Sequence, residues 1–419
     1  MSDLQSTSSS STPALLQQRA FVLFWLGRVA SSVAYQMLAL VIAWQVYELT
    51  NSAFDLGLVG LIQFVPAVGL TLLVGHAVDR YDRRLIIRGA QSVYALAAIM
   101  ITVAVLAGML SRELLFAAVF LIGSGRIFEA TTMSALVPAL VPPPLISRAV
   151  GAWTSANQTA IICGPALGGL IYAIKPALVT TLCVVFFTIA ITLISFVRPR
   201  ESVADREPPS FASMLAGFKY IMTRHRLLGV VTLDLFVVLL GGITALLPIF
   251  ARDILQVGPI GLGFLRSAPA VGALTTAIVL SRYPIERHIG HRMFAVVAIY
   301  GLATIAFGLS TWFPLSLLAL AALGASDAVS IVVRFSLVQI ETPDAMRGRV
   351  SAINYLFVGS SNTLGDFEAG AVAAWLGVVP SVLIGGFGSL LVAAIWMLIF
   401  PDLRRIDRYE PPDGDKARA

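Results

Sequence analysis

Charge is what this sequence lacks. Only 12% of its 419 residues are Asp, Glu, Lys or Arg, against about 25% in a soluble globular domain. A water-exposed surface needs polar cover that grows with the molecule, so an ordinary soluble fold is excluded. Lysine is scarcest, with Lys175, Lys219 and Lys416 alone. No GxxxxGK[ST] run exists, which excludes a phosphate-cradling loop and ATP consumption by this chain. Cys163 and Cys183 are the two cysteines, each inside an apolar run, so there is no CxxC pair and no disulfide framework. HExxH is missing. His288 and His291, spaced HxxH in a basic loop, are too few for a metal site. No nucleophilic triad is legible.

What is present is apolar length. Hydrophobic residues make up 58% of the chain and mean hydropathy is +0.86. The runs reach the ~20 residues that a helix needs to cross a bilayer. They read as spans over 20–48, 54–78, 85–109, 113–136, 147–174 and 177–197, then 227–252, 259–281, 292–311, 314–339, 349–376 and 379–400. The expected fold is an all-α membrane protein of twelve transmembrane helices. Residues 1–18 read as a Ser/Thr-rich disordered tail and not a signal peptide. Two six-helix halves follow over 19–197 and 227–401. Residues 198–226 form a linker, and 402–419 a second tail.

Net charge is +6. The basic residues sit in short loops without interleaved aromatics, so no nucleic acid is expected as a partner. Of the 29 Lys and Arg, Arg112, Lys175 and Arg252 fall in one set of loops. Arg28, Arg126, Arg266 and Arg334 fall within spans, and the rest lie on the other side or in the tails. That bias predicts cytoplasmic N- and C-termini in the inner or plasma membrane. Within the linker, Phe211, Met214, Leu215, Phe218, Ile221 and Met222 recur at helical spacing beside Lys219, Arg224 and Arg226. This predicts either an interfacial amphipathic helix or an ordinary linker helix.

The halves repeat. Pro66-Ala-Val-Gly69 recurs as Pro269-Ala-Val-Gly272, Arg80-Tyr81 as Arg282-Tyr283, Pro142 as Pro343, and Gly164 and Gly169 as Gly365 and Gly370. The separation stays near two hundred residues throughout. Six spans per copy is even, so both copies enter the membrane from one side and the repeats are parallel.

The loop after the second span reads Gly75-His-Ala-Val-Asp79-Arg80-Tyr-Asp82-Arg83-Arg84. It resembles the signature of the major facilitator superfamily, with Asp82 in place of the usual Gly before the basic pair. The resemblance implies a gating latch made by Gly75, Asp79, Arg80, Arg83 and Arg84 against the start of span eleven, near Arg349. A loop that is merely positive-inside is the alternative. The second-half counterpart, Ser281-Arg282-Tyr-Pro284-Ile-Glu286-Arg287, is degraded. A closer resemblance rests on Gly217-Phe218-Lys219, Ile260-Gly-Leu-Gly-Phe264, Gly164-Pro-Ala-Leu-Gly-Gly169 and Glu341-Thr-Pro-Asp-Ala-Met-Arg-Gly-Arg349. These look like the enterobactin exporter family. They imply proton-driven export of a siderophore or another small amphiphile, with the proton gradient as energy source and no cofactor.

An ionisable residue at mid-membrane costs ~2.5–3.5 kcal/mol on insertion scales, so such residues face the bundle interior or water. The family resemblance implies that spans one, four, seven and ten line the cavity. The candidates for the proton and substrate pathway are Arg28 and Tyr35 in span one, Arg126 and Glu129 in span four, Asp234 in span seven, Asp327 and Arg334 in span ten, and Asp366 in span eleven. Arg126 and Glu129, spaced i, i+3, are expected to be neighbours. Either Glu129 or Asp327 binds and releases a proton while an arginine contacts an anionic substrate, or Arg126 and Glu129 form a fixed structural pair. Arg28 and Arg334 lie nearer the cytoplasmic ends, where snorkelling is expected, most of all for Arg334. Asp366 shares a face with Asn362 and Gly370 and is expected to point inward. Arg266, repeat-equivalent to Gln63, is a weaker candidate.

The expected function is therefore a secondary transporter working by alternating access as a monomer, whose partners are a small-molecule substrate and the lipid bilayer. Uptake of an organic anion is the alternative direction. A polytopic membrane enzyme is a third class, disfavoured because no catalytic constellation accompanies the repeat.

Overall fold

The computed structural model describes residues 15–198 and 211–409. The far ends of both tails and residues 199–210 of the linker lie outside the described residues. Among the described residues there is no strand. The first half holds Arg19–Thr50 (span one), Ala53–Gly69 continued by Thr71–Arg80 (two), Arg83–Ala107 (three), Arg112–Leu140 (four), Ile146–Ile174 (five) and Pro176–Ser195 (six). The second holds His225–Leu240 continued through Ile254 (seven), Gly258–Arg282 (eight), Ile289–Leu309 (nine), Phe313–Glu341 (ten), Asp344–Leu376 (eleven) and Val378–Ile399 (twelve). Ten of these segments are long and apolar enough to cross a membrane on their own, while the second and eleventh are not. The second is interrupted after Gly69 and is too short alone, and the eleventh is rich in glycine and polar residues; these two pack on each other across the halves, as do spans five and eight.

Local signals set the ends. Ser52 and Ser111 cap spans two and four by accepting from the Asp55 and Leu114 amides. Gly108, at φ 66°, ends span three in a left-handed cap. Span seven breaks at Gly241-Gly242, where the backbone of Gly365 occupies the space a side chain at Gly242 would need. Its far end turns through a π-helical segment, Phe250–Ile254.

The linker helix Phe211–Thr223 docks on the second half. Ile221 is buried, Phe218 meets Phe357, and the Tyr220 hydroxyl donates to the Glu341 carbonyl at 3.2 Å. Phe218 and Met222 stay partly exposed, so the helix both packs and keeps an apolar outer edge.

The face that carries Arg19 and Ile399 is here the terminal face, the opposite one the far face. At the far face one hydrophobic core runs through both halves, joining Met37, Trp44 and Tyr172 to Phe250, Leu262 and Phe307. Toward the terminal face the cores separate. Phe21, Phe24, Ile87 and Leu136 serve the first half, and Leu233, Phe294, Leu337 and Leu403 the second. Spans two and eleven show the same asymmetry. A Cβ added at Gly60 would stand 2.7 Å from the Thr363 carbonyl oxygen, and one at Gly57 2.9 Å from that of Phe367. At Gly69, Gly75, Gly348 and Gly359, nearer the terminal face, nothing among the described residues lies within 4 Å. The halves are shut at the far face and parted at the terminal face.

Candidate transport pathway between the halves

Glu129 lies buried between spans one, three and four. Its Oε1 accepts from Ser31 Oγ at 3.3 Å and Gln91 Nε2 at 3.4 Å, its Oε2 accepts from Tyr94 Oη at 3.2 Å, and Arg28 Nη1 stands 3.2 Å from Oε1. Arg28 also donates to Asn157 Oδ1 at 3.4 Å. The expected Arg126–Glu129 pair does not form. Arg126 swings the other way, onto the Tyr35 hydroxyl, with its guanidinium 4.9 Å over the Tyr35 ring. Spacing of i, i+3 permits a contact, but Glu129 is packed toward the half's own core while Arg126 is exposed to the gap between halves. Arg28 takes the counter-charge, so it does not snorkel.

A second buried pair sits in the other half. Arg334 reaches Asp234, with side chains only 6% and 8% exposed. This corrects the expectation that Arg334 snorkels to the surface. In both halves an arginine set nearer the terminal face reaches up to a carboxylate, but the helices are exchanged. The base is on span one and the acid on span four in the first half; the acid is on span seven and the base on span ten in the second.

Asp327 is half-buried, and among the described residues it forms no hydrogen bond or ion pair. With Asp234, Tyr300, Ser326 and Ser330 it lines a cavity of about 10 Å³, room for about one water. Asp366 points inward as expected: its Oδ1 accepts from the Ala245 amide at 3.3 Å, just past the break in span seven. Tyr300 covers the other side of that break, donating to the Gly241 carbonyl at 3.4 Å. Arg266 donates to the Ala39 carbonyl at 2.9 Å.

The loop after span two is only partly visible. The side chain of Asp79 lies outside the described residues. Asp82 caps span three through the Arg84 amide at 2.9 Å, and Arg84 pairs with it at 2.6 Å while donating to the Val197 carbonyl at 3.0 Å. The hydrogen bond from Arg84 holds the Asp82 carboxyl below the usual carboxylate range. Gly75 and Arg80 lie on the short helix before the loop, and Arg83 opens span three. The start of span eleven is occupied by the linker helix, whose Gly217 packs on the Arg349 backbone.

Sequence reasoning missed a clasp at the far face. The Tyr47 hydroxyl donates to Asp253, and Arg252 donates to Asn51 Oδ1 at 2.8 Å with its guanidinium 5.4 Å over the Tyr47 ring. It joins the end of span one to the π-helical turn of span seven. Gln91, Tyr94 and Tyr300 were also missed. The polar pair Gln91 and Tyr94 at i, i+3 in an apolar span was the available signal, as was Gly241-Gly242 for the break.

Comparison with known proteins agrees with this geometry. The chain is 27% identical over 401 residues to the enterobactin exporter EntS of Escherichia coli O81 (strain ED1a), covering 94% of each. It has the same identity and coverage with the protein of that name from Shigella boydii serotype 18 (strain CDC 3083-94 / BS512). A bacterial homologue of the human lysosomal transporter Spinster, inward-facing and unoccupied, superposes with a TM-score of 0.74 at 13% identity, over 94% of this chain and 99% of that one. An inward-facing bacterial homologue of the iron transporter ferroportin gives 0.70 at 17% identity, over 94% and 100%. These structures share the fold, the major facilitator fold of two parallel six-helix repeats. Residues 10–412 match the family model described as Transmembrane secretion effector, and the chain belongs to that family of major facilitator transporters.

Proposed function

We propose that this transporter exports a small molecule, a siderophore or an amphiphilic drug-like compound, by alternating access coupled to the proton gradient. The observation that carries the reading is the placement of Asp327, an acid without a donor at the middle of span ten. Glu129 is a poor proton carrier by comparison, because three hydrogen bonds and one ion pair occupy its two oxygens and a proton would displace one of them. Asp366 is the second candidate, held by one backbone amide. Neither step needs a cofactor. The positive-inside bias sets the terminal face in the cytoplasm of the inner or plasma membrane, so the parted side is the loading side, and the chain works as a monomer. The similarity to enterobactin exporters supports efflux. Arg126, a cation facing the gap, favours organic-anion uptake as the second reading, since alternating access runs either way with the gradient.

The test is transport in proteoliposomes under an imposed pH gradient, with siderophores and cationic drugs as candidates. Gradient-driven movement that Asp327→Asn uncouples is the expected result. If no candidate moves and none dissipates the gradient, proton-coupled export of these classes fails. Unchanged transport and pH dependence in Asp327→Asn would remove Asp327 as carrier.

A further inference from the structure

Two basic side chains in the spans, Arg126 and Arg266, form no ion pair among the described residues. Arg28 pairs with Glu129 and Arg334 with Asp234, while Arg266 donates to the Ala39 carbonyl. Arg126 pairs with no carboxylate among the described residues. Its hydrogen-bond partner is the Tyr35 hydroxyl, and one face of its guanidinium rests on the Tyr35 ring. A guanidinium carries five N–H donors, so most of the fork is unused. The side chain is exposed to the gap between halves and stands midway along span four. One turn on, Ala130 is exposed too and leaves room beside it. Arg266 adds a second positive charge within electrostatic range of Asp366 and Tyr35. A charge at that depth costs several kcal/mol, and the acid within electrostatic range of Arg126, Glu129, is already paired with Arg28, so a ligand anion would complete the neutralisation.

We propose that Arg126, seated on Tyr35, anchors an organic oxyanion, a carboxylate or an acidic phenolate, and that the transported substrate belongs to this class and not to the cationic amphiphiles. The planar fork takes an oxyanion through two parallel hydrogen bonds, and the face away from Tyr35 is free to stack an aromatic ring. Asp327 and Asp366, the acids assigned to the proton, stand on spans ten and eleven of the other half, while Arg126 stands on span four. The inference rests on the export reading above for its direction only.

The experiment is ligand binding by the purified full chain, read as a saturable thermal shift with salicylate, its neutral counterpart salicylamide, and the cation benzylamine. Salicylate alone is expected to bind. Arg126→Gln should weaken it at least tenfold, and Arg126→Lys should weaken it less. Tyr35→Phe keeps the ring and should keep binding, which separates loss of the anchor from loss of the fold. Equal binding of benzylamine or salicylamide, or unchanged salicylate affinity in Arg126→Gln, overturns the proposal. Arg126-dependent binding without pH-driven salicylate flux in proteoliposomes leaves the anchor standing and sinks export. Gradient-driven flux of a cationic drug with no salicylate binding does the reverse.

Discussion

Arg126 stands at the midpoint of span four, Arg112–Leu140, and Asp327 at the midpoint of span ten, Phe313–Glu341, so opposite charges occupy the same point of two repeats. Both helices have 29 residues. Duplication preserved the geometry while the chemistry diverged, a cation in one half and an acid in the other. The buried pairs Arg28–Glu129 and Asp234–Arg334 tie span one to span four and span seven to span ten.

Glu129→Gln should act on stability before it acts on coupling. It leaves Arg28 buried with Asn157 as its remaining partner, and breaking a buried pair from one side costs roughly 3–5 kcal/mol. A lower melting temperature with an unaltered pH profile of transport is expected. An altered pH profile at unchanged stability would make Glu129 a proton carrier instead.

Arg334→Met alone should destabilise the second half by a similar amount, because Asp234 is then charged and alone. The double variant Asp234→Leu with Arg334→Met should recover most of the loss, since a buried pair replaced by apolar groups of like volume is often neutral. Thermal melts of the two singles and the double form the cycle that measures this. No recovery in the double variant would mean that the pair does more than balance charge.

The clasp between Tyr47, Asn51, Arg252 and Asp253 is a polar link between the halves at the far face, and weakening it should favour opening there. In a cysteine-free background, spin labels at Ser111 and Gln256 report the separation of the far-face loops. Tyr47→Phe with Arg252→Gln should raise the long-distance population. An unchanged distance distribution would show that the clasp does not hold this face shut.

Gly60→Val should prevent spans two and eleven from closing, because its Cβ would meet the Thr363 carbonyl at 2.7 Å and Asp366 Cβ at 3.0 Å. Gly69→Val, with nothing described within 4 Å, is the control. Transport reduced more than tenfold in the first and retained in the second is expected. Equal activity in both would place the essential closure elsewhere.

Much of this molecule is readable without coordinates. Apolar runs of spanning length, the six-plus-six repeat and the loop from Gly75 to Arg84 name the architecture, because a bilayer demands internally bonded helices and leaves few alternatives. The same residues name the charges that must face inward. Partners are another matter. Spacing along one helix suggested Arg126 with Glu129, yet Glu129 is claimed by Ser31, Gln91, Tyr94 and Arg28, which lie 98, 38, 35 and 101 residues away along the chain. Arg334 looked free to reach water, and Asp234 of another span holds it inside.

By itself, then, the sequence determined the medium, the helical architecture, and which side chains are too polar to meet lipid, since each of these follows from local composition and transfer cost. Only the tertiary structure decided which arginine meets which acid, that Arg126 is left facing the gap, that span seven breaks under Gly365, and that the far face is the closed one. Those outcomes depend on how helices distant in sequence rotate and approach, and hydrophobic periodicity carries no information about a partner a hundred residues away.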